Sequence, residues 1–398
     1  MQHRIIVLGA GYTGAFAAGR LARRLHADDV AVTLVNAEPD FVERVRNHQL
    51  AAGQDLKPRP FAEMFAGTGV ELKLAKVTAV DADAKTVAVT GADGAETLAY
   101  DTLVYALGSG WTDHGVTGAA EHAHEIASRP GALKLRDRLA RMDAGQTVTI
   151  VGGGLTGIEA ATEFAEARPD LDVAIIARRD LGDWVSPKAQ AHLRKVFAKL
   201  GIRVHEHTDV AEVRDGEIVT ADGTRIASAA TVWTTGFAVH PIAAATTMET
   251  TDRGQIVVDG DMASVSHPDV FAVGDAGYAI GDAGKPLRMS CASGIPMAQT
   301  AADAITTRLT GAKAGKVPLG YFNQCISLGR SEGLIQYVHA DDRTRTVSLR
   351  GRFAARYKEI ICKGAAWGVA NPTYGMPVRR RRVAKAAEHT GTAVKALA

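Results

Sequence analysis

The chain has 398 residues, 46% of them hydrophobic and 23% charged, a globular composition that excludes a disordered or fibrous chain. Forty-six basic residues against 44 acidic ones leave a net charge of +2, so no overall basic field exists to recruit nucleic acid. The three cysteines, Cys291, Cys325 and Cys362, lack metal-ligand or redox spacing. Neither a disulfide scaffold nor a metal centre is expected, and a reducing cytoplasm suits the chain.

Met1–Arg4 lead straight into an apolar run, without the basic and apolar regions of a secretion signal. Arg4–Leu8 predicts a buried parallel strand. Gly9-Ala10-Gly11-Tyr12-Thr13-Gly14 follows, then a helical stretch to about Ala27 and a strand, Val30–Val35, ending at Asn36. Val70–Val80 and Thr86–Val89 alternate as a hairpin does, with Gly91-Ala92-Asp93-Gly94 as its turn. The strand Thr102–Ala106 closes on Leu107-Gly108.

The opening pattern then returns about 143 residues on. Thr147–Val151 is the strand, Gly152-Gly153-Gly154-Leu155-Thr156-Gly157 the turn and Ile158 to about Arg168 the helix. Leu171–Ile176 supplies the second strand, ending at Ala177. The longest uncharged run, Ile226–Met248, contains Gly236, His240 and Pro241, and reads as strand, turn and loop rather than a membrane span. Within it Thr231–Thr235 is a strand that closes on Gly236. Val270–Asp275 precedes a helix to about Thr310, Gly311–Gly320 is a linker, and a strand-rich portion runs from Tyr321 to about Ile361. From Arg379 onward six basic residues meet one acid. With only alanines, valines and one leucine as apolar partners, that tail is expected to be solvated, a peripheral lipid contact being the alternative.

In a strand–turn–helix dinucleotide site the first glycine makes the turn and the second lets backbone approach the pyrophosphate. The third lets helix and strand close up. Gly9, Gly11 and Gly14 fill these places, and Gly152, Gly154 and Gly157 fill them again. The helix N-terminus then offers free N–H groups to phosphate. Tyr12, Thr13, Leu155 and Thr156 lie inside these turns and are candidate binding residues too. Two sites without metal or thiol pair point to electron transfer between two nucleotides.

On the two glycine turns, the stretch Tyr100–Gly108 and Phe271-Ala272-Val273-Gly274-Asp275, the chain resembles the FAD-dependent pyridine nucleotide oxidoreductases. Within them it looks most like the type II NADH dehydrogenase group. The resemblance implies an α/β protein with two Rossmann-like domains: a discontinuous FAD-binding domain (1–112 and 241–317), an inserted NAD(P)H-binding domain (113–240) and a C-terminal α+β portion (318–398). It implies that Asp275, beside Gly274, accepts hydrogen bonds from FAD; a helix N-cap is the plain alternative. The helix starting near Ser290–Ser293 would aim its positive end at the flavin. Glu159 would stand near the nicotinamide, a solvent-facing glutamate being the alternative. Gly108 and Gly236 end the strands that close each site.

Departures from the family pattern carry information. Asn36 stands where a ribose-binding carboxylate is usual, and Ala177-Arg178-Arg179 replaces the second one. Loss of that acid with gain of arginine predicts that NADPH is accepted beside NADH. Phe41–Gln49 lacks the cysteine pair of disulfide reductases, so electrons are expected to leave the flavin directly. His48 is a candidate proton donor there, or a structural histidine. Cys291-Ala292-Ser293-Gly294-Ile295-Pro296 replaces the glutamine signature of the quinone channel, and Cys291 is expected to serve packing. The reading is an FAD enzyme that takes electrons from NAD(P)H to a quinone-like or other aromatic acceptor, with no metal and no integral membrane association. A homodimer is allowed by the C-terminal portion. Alternatives are a ferredoxin or rubredoxin reductase, a biosynthetic tailoring flavoenzyme, and a nucleotide-sensing flavoprotein like apoptosis-inducing factor.

Overall fold

The computed structural model describes residues 2–384; Lys385, Glu388 and Lys395 of the basic tail lie outside the described residues. Two parallel sheets carry the molecule. In the first, Val270–Ala272, Thr102–Tyr105, His3–Leu8, Val30–Asn36 and Val70–Asp81 run parallel in that order, and the hairpin Thr86–Gly91/Gly94–Ala99 extends the edge. Ile5 to Leu8 are all buried, as expected of a central strand covered on both faces. The second sheet is parallel throughout: Arg203–His205, Asp172–Ile176, Thr147–Val151, Ala230–Trp233 and Ala123–Glu125.

Each glycine turn follows the central strand of its sheet and opens a helix, Tyr12–Arg24 in the first and Leu155–Ala167 in the second. Ligands in such sheets sit beyond the carboxyl ends of the strands, and both turns lie at those ends. The helix Tyr12–Arg24 packs against Cys291–Thr310, and buried Arg20 joins them through two bonds to Asp303, 2.7 and 2.9 Å. Removing either partner would strand a buried charge, at a cost of about 3–5 kcal/mol. No helix among the described residues is long and apolar enough to cross a membrane.

The C-terminal portion departs from expectation. Asn323–Ser327, Gly333–Val338 and Thr344–Arg350 form an antiparallel sheet, but the strand pattern expected to reach Ile361 ends at a helix, Arg352–Ala370. Its buried face is made of small residues, Ala354, Cys362, Ala366 and Val369. The start of the basic tail is docked rather than free. Arg381 exchanges backbone bonds with Arg24 and His26, and Arg382 pairs with Asp28 at 2.8 Å and Asp29 at 2.9 Å. Arginine thus neutralises the acidic corner between the first helix and second strand, and that stretch is anchored while Arg379–Arg382 stay exposed, as the solvated reading expects.

Candidate functional site

Backbone geometry sorts the six glycines by job. Gly9 (φ +86°) and Gly152 (φ +123°) turn through the left-handed side of backbone space, where a side chain is strained. A Cβ on Gly14 would stand 1.8 Å from the Gly9 carbonyl oxygen, and one on Gly157 would stand 1.9 Å from that of Gly152. A Cβ on Gly11 or Gly154 would meet nothing within 4 Å. The first and third glycines are therefore fixed by the protein itself, while the second faces open space in both turns.

That space is one continuous cavity of about 1250 Å³, lined by both turns. Every site residue read from the sequence lines it except Gly14 and Gly157, which lie behind the turns. Typical single-ligand pockets are about 300–1,000 Å³, so the volume suits more than one ligand. Four polar atoms at its wall are buried without a protein partner: Tyr12 Oη, Arg44 Nη2, His48 Nε2 and Thr235 Oγ1. Orphaned polar atoms of this kind are costly unless a ligand or water satisfies them.

On the side of the first turn, Asn36 accepts a bond from the Ala10 N–H (2.9 Å) and donates to the Glu38 carbonyl (2.8 Å). Its amide thus clamps the turn as well as facing the cavity. Asp275 accepts from the Ser109 hydroxyl at 2.6 Å. Asp275 is no helix cap: the cap of Cys291–Thr310 is Ser290, which accepts from the Ser293 N–H. That helix aims its N-terminus, through Ser290, Cys291 and Ala292, at the cavity. The pyrophosphate cradle at Gly11, the open wall by Asp275 and the helix end make a donor set that fits FAD.

On the side of the second turn, Glu159 is 3% exposed, which overturns the solvent-facing alternative. Its Oε1 accepts from Lys358 Nζ (2.9 Å), the Ser327 N–H (2.9 Å) and the Ser327 hydroxyl (3.2 Å). His48 Nδ1 lies 4.0 Å from Glu159 Oε2, so the histidine is not isolated. Burial, opposed by Glu159, pushes His48 down to about 4, and it is neutral at physiological pH. Burial disfavours the charged forms of Glu159 and Lys358, but each outweighs it for the other, holding the carboxyl low and the ammonium high. The cavity wall therefore carries a fixed ion pair with a neutral imidazole beside it.

Arg178 and Arg179 line the cavity but point outward, with side chains 83% and 76% exposed. Each already has an acid: Asp209 holds Arg178, and Asp183 lies 2.9 Å from Arg179. The solvated-pair alternative thus describes them as they stand. Asp183 and Asp209 line the cavity beside that strand end as well, which sequence spacing did not reveal.

Three features escaped the sequence reading. Lys358 reaches Glu159 from the far C-terminal helix. Arg44 donates to the Ser109 carbonyl (2.8 Å), lies 3.8 Å from Asp275 and stacks 4.6 Å over Phe237, bridging the two halves of the cavity. Cys291, Cys325 and Cys362 all line this cavity, although their separation in sequence suggests no relation. Their thiols are free, and burial raises all three, Cys325 to about 11.

Two Rossmann-like units thus share one cavity, each placing its glycine turn at the wall. The family model of pyridine nucleotide-disulphide oxidoreductases matches residues 3–304. An NADH dehydrogenase-like protein of Mycobacterium tuberculosis is 31% identical over 326 residues, covering 75% of this chain and 78% of that one. A type II NADH:quinone oxidoreductase of Staphylococcus epidermidis is 25% identical over 391 residues, covering 90% and 94%. Among solved structures, NDH2 from Plasmodium falciparum in complex with NADH superposes with a TM-score of 0.74 at 14% identity, covering 95% of this chain and 99% of that one. The chain belongs to the pyridine nucleotide-disulphide oxidoreductase family, in its NADH dehydrogenase-like group. It is an NAD(P)H-dependent flavoprotein oxidoreductase.

Proposed function

We propose that the protein holds FAD against the first glycine turn and NADH or NADPH against the second, and passes electron pairs to a quinone-like organic acceptor. The observation that carries this reading is the shared cavity, lined by both glycine turns and by Glu159, Lys358 and His48. We assign the FAD unit to residues 1–112 and 241–317 and the nicotinamide unit to 113–240. Gly11, Asn36, Gly108 and Asp275 would hold FAD; Gly154, Thr156 and Gly236 would hold the nicotinamide nucleotide. When bound, FAD supplies a ring that takes up an electron pair and gives it on.

The chain's own residues prepare that exchange. The positive end of Cys291–Thr310 favours negative charge at the ring edge it faces. Lys358, fixed by Glu159, presents an ammonium to the cavity, where it stabilises charge developing on an acceptor oxygen. Neutral His48 keeps Nε2 free to hold or give a proton. The quinone named for the Staphylococcus relative is the acceptor class proposed here. Exposed aromatic and aliphatic side chains on Arg352–Ala370 support peripheral contact with a lipid surface, and free thiols support a reducing compartment.

An anaerobic titration tests the reading. NADH or NADPH is expected to bleach the yellow protein, and a water-soluble benzoquinone to restore its colour. A protein that stays colourless after soaking with FAD, or yellow after both nucleotides, would overturn it.

A further inference from the structure

The Glu159–Lys358–His48 cluster faces a cavity that nucleotides and acceptor fill during turnover, and its side chains are otherwise closed in by protein. Yet the reaction consumes a proton. Nicotinamide gives up two electrons and one proton, together a hydride, to leave as its oxidised form; the acceptor, on becoming a quinol, takes two electrons and two protons. The second proton comes from water and must reach the closed cluster.

One helical turn beyond Glu159 on Leu155–Ala167 stands Glu163, 1% exposed. Its Oε1 accepts from the Gln54 amide, and its Oε2 is buried without a partner. Another turn on, half-buried Glu166 accepts from the Arg330 N–H and the Ser331 hydroxyl at the protein's rim. Positions 159, 163 and 166 share one face of the helix. The acids therefore descend in steps from cavity wall to surface. Other elements close the column. His48 comes from helix Asn47–Ala51, Gln54 from the segment after it, Arg330 from the turn of the C-terminal sheet and Lys358 from the last helix. Gln54 itself sits beside exposed Asp55, which pairs with Arg136 at 2.8 Å.

We propose that Glu163 is a proton relay between solvent and the Glu159–Lys358–His48 cluster, an inference that rests on the acceptor-reducing reading above. Each proton passed to an acceptor oxygen is replaced through Glu163, which is reprotonated from the rim and ends each cycle as it began. Glu163 does not line the cavity, so it acts through Glu159 and His48 and is a positioning residue rather than a catalytic one. Its burial, countered in part by Arg330 and Gln54 and reinforced by Glu166 and Glu159, pushes it up to about 7. It therefore changes protonation in the physiological range.

Stopped-flow mixing of the FAD-loaded, NADH-reduced protein with a water-soluble benzoquinone separates the two half-reactions. Glu163→Gln is expected to leave flavin reduction by NADH at the parent rate. It should slow reoxidation below pH 7, where Glu163 carries its proton in the parent, on the order of tenfold, erase the inflection near that pH, and be partly rescued by Glu163→Asp. Reoxidation of Glu163→Gln with the parent pH profile would overturn the relay. Failure of NADH to reduce the parent protein would instead overturn the underlying reading. Should Glu163→Gln not fold, Gln54→Leu removes the amide that holds the carboxyl down, and the inflection is expected to move to higher pH; an unmoved inflection is equally fatal.

Discussion

A methyl group at Gly157 would stand 1.9 Å from a carbonyl oxygen, whereas one at Gly154 meets no protein atom within 4 Å. Gly154 has φ −78°, open to any residue, so nothing in the fold itself requires glycine there. Gly157→Ala must push the helix off its strand, an overpacking cost of about 1–3 kcal/mol. Gly154→Ala is expected to keep the parent melting temperature while weakening NADH binding at least about tenfold, because the methyl fills space meant for phosphate. Melting curves and a nucleotide titration check the pair; two variants that melt alike and bind alike would break the division of labour. These glycines were legible in sequence because a turn is local chemistry. The environment of Glu159 was not. Its first-turn position suits a solvated or a buried glutamate equally, and what decides is Lys358, brought in by topology from the helix Arg352–Ala370.

At the scale of elements, the parallel strands were legible because strands covered on both faces read as unbroken apolar runs. The helix Arg352–Ala370 was not, because it carries two apolar faces. Small Ala354, Cys362, Ala366 and Val369 turn inward, while Phe353, Ile360 and Trp367 turn out, and together they blur the helical period. The loop after Asp172–Ile176 sets Arg178 and Arg179 against acids that its sequence spacing does not bring to them. Arg178 and Arg179 must leave Asp209 and Asp183 before they can grip a 2′-phosphate. Arg178→Ala and Arg179→Ala are therefore expected to raise the KM for NADPH, by about 1.5–3 kcal/mol for each lost charged contact, and to leave that for NADH unchanged. Asp209→Asn should act the other way, since it frees Arg178. Steady-state kinetics with both nucleotides decide the matter, and equal shifts for NADH and NADPH would refute the assignment.

The whole molecule sets one surface apart. Phe353, Ile360 and Trp367, 68%, 67% and 50% exposed, fall within about 60° of one another around their helix. Arg352, Arg356 and Lys363 flank that stripe on one side, and exposed Tyr374 and Met376 follow just beyond the helix in sequence. The inner face of the same helix supplies Lys358, Cys362 and Ala365 to the cavity wall. One element thus joins the reactive site to an apolar, basic exterior, the combination that rests on an anionic bilayer. The large anchors missing from the basic tail lie upstream of it, on a helix whose outward side chains only the folded chain distinguishes from its core. The protein is expected to co-sediment with phosphatidylserine-containing vesicles, less so as salt rises. Replacing Phe353, Ile360 and Trp367 with serine should abolish co-sedimentation and leave flavin reduction by NADH at the parent rate. The site is built from the opposite face, so the two properties are separable. Vesicle binding that survives the triple replacement would place the contact elsewhere, and reduction lost with it would show that the stripe belongs to the core.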